Sequence, residues 1–320
     1  MRRVALLGFG AMGRLHARTL LSSPTFCITG VFDPDDAVHV GSAIPRCATE
    51  ELAIAGADLV VVATPIAEHA GAAIRGLAAG CDVFVEKPMG ATFRDAAAMV
   101  DAARHAGQRL FVGHSERFNP VVRAIAGGVV PASIRRIGLR RVGPPRRARA
   151  HDPVLLNLGV HDLDLVAHLT GSTFTVCSAH GGDEAADVVL VTASGCDAMI
   201  SVARTTGARD RRIVVETGDE IWRGDLLALE LEVTSLVTGL TRTIPIDAVE
   251  PLVAQAHALA AALGGSEPGP SPVATGIDGA RAVLGVEAAE AFLRSRGSVV
   301  AVSPSERASE RAPERPAENL

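Results

Sequence analysis

The chain has 320 residues, 48% of them apolar, with a formal net charge of −5 and no tyrosine. That length predicts about two domains of ~100–200 residues each, and the composition supplies a sizeable core. The modest charge excludes a dominant electrostatic pull toward nucleic acid or an anionic membrane, and a mechanism that needs a tyrosine proton donor is excluded outright.

In chain order, residues 3–7 read as a short buried strand that enters Gly8-Phe9-Gly10-Ala11-Met12-Gly13 and then a helix over 14–21. This is Gly-x-Gly-x-x-Gly between a strand and a helix, the context that makes the pattern a dinucleotide fingerprint. Gly8 allows the tight turn, Gly10 admits a pyrophosphate to the backbone, and Gly13 lets helix and strand pack closely. The helix N-terminus offers N–H groups to the phosphates. A second strand over 27–32 ends at Asp33, about twenty residues beyond the last glycine, where an acid binds the ribose hydroxyls and repels a 2′-phosphate. Asp33 therefore points to NAD, and no arginine is expected close to it.

A helix over 49–55 and an apolar strand over 58–63 follow, then the turn Thr64-Pro65 and a helix over 66–79. The strand 83–85 runs into Glu86-Lys87-Pro88, an acid and a base at the end of a buried strand, which are costly there unless paired or used. A helix over 92–106 and a strand over 109–113 complete an alternation that predicts a doubly wound parallel sheet. His114-Ser115-Glu116-Arg117-Phe118-Asn119-Pro120 forms a turn, and the domain boundary is set at 120. From 133 to 142 arginine alternates with apolar residues, and a basic loop with Arg146, Arg147 and Arg149 follows. A regular helix is expected over 154–169. Runs at 173–179, 188–193, 198–205, 211–216, 227–233 and 241–246 predict a largely antiparallel sheet. Helices over 251–263 and 273–294 follow, the second packing back on the first domain. The expected division is an NAD-binding domain at 1–120, a substrate-binding and oligomerisation α/β domain at 121–300, and a disordered tail at 301–320. No apolar run approaches the ~18 residues of a membrane span, and no signal-peptide cleavage pattern is found. Five scattered cysteines without Cys-x-x-Cys fit reduced thiols in the cytoplasm.

On a helix, Asn157 and His161 share a face and Asp164 continues it. His151, His161 and His168 find no partners that complete a ligand set, so no metal is expected. Arg140, Arg141, Arg146 and Arg149 either clamp a diphosphate, for which guanidinium is suited, or form a solvated basic face.

Four stretches, Gly8-Phe9-Gly10-Ala11-Met12-Gly13-Arg14-Leu15-His16, Ala63-Thr64-Pro65, Glu86-Lys87-Pro88 and Gly159-Val160-His161-Asp162-Leu163-Asp164, resemble the glucose-fructose oxidoreductase, inositol dehydrogenase and rhizopine-catabolism family (Gfo/Idh/MocA) in order and spacing. The resemblance implies a Rossmann domain, a C-terminal α/β domain with an open sheet used for oligomerisation, and hydride exchange between a nicotinamide and a carbinol carbon of a sugar or cyclitol. It makes Lys87 the active-site lysine and His161 its partner. The inositol dehydrogenase pattern has an acid four residues before the histidine, where this chain has Asn157. His161 is the first choice for the base and Lys87 for stabilising the alkoxide, with the reverse assignment open. Residues 113–120 and 140–144 resemble the branch that oxidises the 3-hydroxyl of UDP-N-acetylglucosamine. The candidate contacts to NAD are Gly8, Phe9, Gly10, Ala11, Met12, Gly13, Asp33, Thr64, Pro65, His69, Glu86 and Lys87. Those to a sugar or nucleotide-sugar substrate are Arg117, Asn119, Arg140, Arg146, Asn157 and His161. The alternatives are a cyclitol or free-sugar dehydrogenase and an NAD-binding regulatory protein. A homodimer or homotetramer is expected, with no nucleic-acid or membrane partner.

Overall fold

The protein is described by a computed structural model over residues 1–42, 44–144, 152–205, 207–265 and 272–295. Arg146, Arg147, Arg149, His151 and the tail lie outside the described residues.

The first half alternates strand and helix as expected: β1 (Arg2–Leu7), α1 (Ala11–Leu21), β2 (Phe26–Phe32), α2 (Glu50–Ile54), β3 (Leu59–Val62), α3 (Ile66–Ala78), β4 (Asp82–Val85), α4 (Phe93–Ala106) and β5 (Leu110–Val112). The Val-rich strand β3 is buried along its whole length, because helices cover both faces of a parallel sheet. Thr49 and Thr92 cap α2 and α4 by accepting the N–H groups of Leu52 and Asp95. Gly107, at φ +65°, ends α4 in the left-handed conformation that favours glycine.

The second half contains α5 (Pro120–Gly128), β6 (Arg136–Gly143), α6 (Val160–Thr170), β7 (Phe174–Gly181), β8 (Ala185–Thr192), β9 (Asp197–Arg204), β10 (Asp210–Glu216), β11 (Glu220–Asp225), β12 (Glu230–Ser235) and β13 (Thr241–Thr243). They form an eight-stranded sheet in the order β13-β12-β11-β10-β6-β9-β8-β7. Its pairs are antiparallel except β6 with β9. Strand β11 was not anticipated. Its alternation is masked by Arg223 and Gly224, yet Trp222 points into the core at 4% exposure.

Two features depart from expectation. The helix expected over 154–169 is not regular: a π turn, Leu155–Gly159, precedes α6. Also, the C-terminal elements α7 (Pro251–Gly264), β14 (Ala274–Thr275) and α8 (Gly276–Ser295) serve both halves. Strand β14 adds an antiparallel edge beside β5, giving the first sheet the order β14-β5-β4-β3-β1-β2. Leu259 and Leu263 of α7 pack in the first core with Phe26 and Phe111. From α8, Ala280 and Val283 join the first core, while Ala282, Val286 and Phe292 join the second. The helix is buried on both sides and pins the two sheets together.

Candidate active site

The site lies at the carboxyl edge of the first sheet, where the loops after β1, β3, β4 and β5 meet α6. After β1, Gly8 has φ +85°, and a Cβ there would sit 2.7 Å from the Ala63 carbonyl oxygen, so only glycine fits. A Cβ on Gly13 would meet the Gly8 carbonyl oxygen at 2.1 Å, whereas one on Gly10 would meet nothing within 4 Å. The backbone at Gly10 is therefore open to a ligand. No side chain caps α1, which leaves the first N–H groups of the helix for an anion. The Thr64 hydroxyl, in the loop after β3, is buried without a partner. These features fit a dinucleotide.

Asp33 closes the same loop. Its Oδ2 accepts the Phe9 N–H at 2.6 Å and its Oδ1 accepts the Asp35 N–H. An arginine does lie nearby, contrary to expectation. Arg46 donates to the main-chain carbonyls of Asp33, Asp35 and Val38 and to the Asp36 carboxylate. Its donors staple the loop. His69, expected on the cofactor, is fully buried below it. Its ring nitrogens lie 3.0 Å from the Pro88 carbonyl and 2.9 Å from the Thr64 carbonyl, so it braces the two loops against each other.

After β4, Glu86 is 4% exposed, and its role differs from the expected cofactor contact. Its Oε1 accepts from His16 Nε2 of α1 at 2.6 Å, and its Oε2 accepts the Lys87 N–H at 3.1 Å. Gly113 leaves room for it, since a Cβ there would stand 2.8 Å from Oε1. Burial alone raises the Glu86 carboxyl, but His16 and the Lys87 charge outweigh burial and hold it below the usual carboxylate range. The Lys87–Pro88 peptide is cis. Lys87 Nζ crosses to the second half and donates to the Asn157 main-chain carbonyl at 3.0 Å. The π turn presents this carbonyl, so position 157 meets Lys87 through its backbone.

His161, on the first turn of α6, is 9% exposed. Burial pushes its imidazole well below the ordinary value, and the charges of Lys87 and Arg141 push the same way. The ring is therefore neutral near pH 7 and can take a proton. Sequence reasoning missed its neighbour, His114. The two rings lie edge to face with centroids 6.4 Å apart. Both nitrogens of His114 and Nδ1 of His161 are buried without a hydrogen-bond partner. Burial also lowers His114.

Two of the expected substrate residues, Arg117 and Arg140, are committed to carboxylates. Arg117 is 4% exposed and forms a bidentate pair with Asp164, at 2.8 and 2.6 Å. Asn119 caps α5 through the Val121 N–H and donates to the Leu226 carbonyl, and it lines the cavity beside Glu116 and Arg211. Arg140 points to the outer face of its strand and pairs with Asp210 at 2.9 Å. Arg141 faces inward instead, bonded to Asp162 and, at 3.0 Å, to Glu116, which also accepts from Arg211. Burial raises the Glu116 carboxyl, but Arg141 and Arg211 outweigh it and hold the group ionised. Beside Glu116 and Arg211 lies a cavity of about 390 Å³, walled by Leu226, Leu229, Val249 and Pro251. Among the described residues, no group of three His, Cys, Asp or Glu is arranged to hold a metal ion, and no helix is long and apolar enough to cross a membrane.

One further feature of the sequence bears on the site. Of its 31 basic residues, thirty are arginine, and Lys87 is the only lysine. Arginine is a planar, permanently charged fork, while lysine is a compact, rotatable ammonium that titrates. In a chain that uses arginine everywhere else, the lysine stands where a point charge reaches a carbonyl of the chain's second half.

Residues 2–114 match the Gfo/Idh/MocA oxidoreductase family, NAD-binding Rossmann fold. The chain is 28% identical over 197 residues to scyllo-inositol 2-dehydrogenase (NAD(+)) of Bacillus subtilis, covering 56% of this chain and 57% of that protein. It is 29% identical over 177 residues to UDP-N-acetylglucosamine 3-dehydrogenase of Acidithiobacillus ferrooxidans, covering 53% and 55%. The matches thus span little more than half the length of these relatives. The crystal structure of the Acidithiobacillus ferrooxidans enzyme superposes with a TM-score of 0.82 at 21% identity, covering 92% of this chain and 98% of that one. An oxidoreductase from Agrobacterium radiobacter in complex with NAD+, L-tartaric acid and magnesium superposes with a TM-score of 0.79 at 17% identity, covering 92% and 97%. At these identities the superpositions establish the shared fold.

Proposed function

We propose that this chain, whose residues 2–114 match the Gfo/Idh/MocA oxidoreductases, is an NAD-dependent dehydrogenase of that family. In this reading it oxidises a secondary hydroxyl, at C3 of a sugar or nucleotide sugar, to a ketone. The observation that carries the proposal is the meeting of Lys87 and the His161 helix across the sheet edge that also presents the open glycine loop. The named activities of the relatives, on an inositol and on UDP-N-acetylglucosamine, agree with it.

NAD, held by the Gly8–Gly13 loop, the α1 N-terminus and Asp33, supplies the hydride acceptor. The rest falls to the side chains. A neutral, buried His161 takes the hydroxyl proton as general base. Lys87, beside the Glu86 carboxylate, donates a hydrogen bond to the same oxygen and stabilises its developing negative charge. Burial and the Lys87 charge hold His161 in the neutral form from which it accepts a proton. Asn157 holds Lys87 through its carbonyl. The cavity beside Glu116 takes the part of the substrate away from the reacting carbon.

A cyclitol or free sugar is the second reading. Arg140 and Arg141, the described arginines proposed for a diphosphate, are each committed to carboxylates. Incubation with NAD and a panel of nucleotide sugars, sugar phosphates and cyclitols, followed by NADH absorbance, separates the two. Lys87→Met and His161→Ala lose at least ~100-fold in kcat with NAD affinity retained. No NADH from any member of the panel, in a protein that binds NAD, overturns the dehydrogenase reading. A cytoplasmic location and a homo-oligomer complete the proposal. They are supported by the five unpaired cysteines and by Val189 and Met199, exposed on the open sheet.

A further inference from the structure

Glu86 sits in the strand–loop segment that carries Lys87, and nothing about its surroundings resembles a ligand contact. It is buried, one oxygen is taken by a histidine from the phosphate-binding helix, and the other is taken by the main-chain N–H of Lys87. A buried carboxylate is costly unless it is paired and hydrogen-bonded, and both of these partners come from parts of the proposed reaction centre. Three further details make the arrangement specific. The His16 ring is held edge-on to Phe84 of β4, with centroids 5.3 Å apart. His16 is itself 6% exposed. The backbone of Gly113 clears the carboxylate in a way that no other residue would.

We infer that Glu86 and His16 are positioning residues for Lys87. In this inference the His16–Glu86 pair fixes the Lys87 backbone to the cofactor helix and, as a buried negative charge, holds the Lys87 side chain as an ammonium. It rests on the dehydrogenase reading only in giving Lys87 a role at the substrate hydroxyl. The pair divides the work of the site: a carboxylate behind Lys87 favours the charged lysine, and the charged lysine favours a neutral His161.

Among the described residues, the groups that feel the Lys87 charge include Glu86 next to it in sequence, His114 and Glu116 from the turn after β5, and His161 from α6. Glu86 and Glu116 support the ammonium. Glu116 is bonded to Arg141 and Arg211, whereas Glu86 is bonded to the main chain of Lys87 itself. Without His16, burial favours the protonated form of Glu86 and that support disappears.

The single lysine makes the test direct. Reductive methylation with isotope-labelled formaldehyde gives one side-chain amine resonance besides that of the N-terminus, so its pH titration reports Lys87 alone, with or without turnover. In Glu86→Gln the titration midpoint falls by about one unit or more, equivalent to at least a tenfold loss of ammonium preference. The alkaline limb of kcat moves down with it, and NAD affinity stays within about twofold. His16→Leu lowers the midpoint similarly. His16→Gln, which keeps a donor, retains most of the wild-type value and still serves if the leucine variant fails to fold. An unchanged Lys87 midpoint in folded Glu86→Gln overturns the inference. So does a tenfold loss of NAD affinity, which would make Glu86 a cofactor ligand. His16→Gln and His16→Leu behaving alike overturns the part given to His16. Because the titration needs no substrate, failure here is distinguishable from failure to find any oxidised sugar.

Discussion

Two consecutive arginines on one strand have opposite fates, and Arg141→Met and Arg140→Met turn that contrast into a measurement. Arg141 is 2% exposed. It bonds Asp162 through Nε and Nη2, the latter at 2.7 Å, and Glu116 through Nη1 at 3.0 Å. Replacement by methionine keeps much of the volume and removes the charge. Glu116 keeps Arg211, but Asp162, 1% exposed, loses the one ion pair it makes among the described residues and keeps only the weaker influence of the Arg211 charge. Breaking a buried pair from one side costs about 3–5 kcal/mol. At roughly 2 °C per kcal/mol for a chain of this size, that is a fall of ~6–10 °C in Tm. Arg140 has a half-exposed side chain, and its partner Asp210 also holds Arg212, so Arg140→Met costs ~0–1 kcal/mol. Urea unfolding followed by the fluorescence of Trp222, the chain's one tryptophan, reads both variants from the same sheet. Adding Asp162→Leu to Arg141→Met recovers a large part of the loss, since the orphaned charge goes with its partner. An Arg141→Met protein within 1 kcal/mol of wild type by this ~3–5 kcal/mol measure, or an Arg140→Met protein equally destabilised, refutes the reasoning.

Gly10→Ala leaves the melting temperature unchanged, because its Cβ points into open space, yet weakens NAD by roughly tenfold or more where the pyrophosphate meets the backbone. Gly8→Ala, at φ +85° and 2.7 Å from the Ala63 carbonyl oxygen, destabilises the apoprotein by about 1–3 kcal/mol. Thermal melts with and without NAD separate the two effects. Acid unfolds the protein partly through His168, which burial and Arg117 lower to about 4. The unfolded chain protonates this ring near ~6.5. It therefore binds the extra proton between the two values, and stability falls as pH drops through that window. The contribution is about 2–3 kcal/mol, and a His168→Leu protein loses that share of the slope in urea titrations at pH 7 and pH 4.5.

The glycine loop, the parallel sheet and the edge position of Lys87 were legible because each is encoded locally. A strand running into Gly-x-Gly-x-x-Gly and then a helix needs no distant partner to be recognised. The arginines were not legible, because their meaning depends on strand parity. Arg140 and Arg141 differ by one position and so lie on opposite faces of β6. Only the packing of α6, whose Asp162 meets Arg141, decides which face is covered. His16 and His114 had no signal of their own, since each acquires its role from a residue far along the chain, Glu86 or His161. The π turn was illegible for a related reason. Leu155-Leu156-Asn157-Leu158-Gly159 carries no residue that forbids a regular helix, and the extra residue in the turn becomes intelligible only once Lys87 is seen bonding to the Asn157 carbonyl. A usable signal was nonetheless present in the composition: one lysine among thirty-one basic residues marks a position where arginine does not serve.

The correction to Arg117 and Asp164 changes how the two halves are held. As a polar stripe on a helix, Asp164 looked like a possible continuation of the His161 face toward substrate. In the fold it is 2% exposed and takes both arms of Arg117, with His114 Nδ1 3.7 Å from its Oδ2. Arg117 and His114 belong to the turn after β5 and Asp164 to α6, so this pair ties the domain that carries Lys87 to the helix that carries His161. Burial raises the Asp164 carboxyl, but His114 and Arg117 outweigh it and keep the group ionised. Asp278 at the start of α8 stands 3.6 Å from the same guanidinium, so the helix that joins both cores is tied to the same charge. The separation of Lys87 and His161, on which sharing one substrate oxygen depends, is thus set by a buried ion pair one turn along α6 and by a helix packed on both sides. The proposed catalytic pair is held in register through the core that joins the two halves.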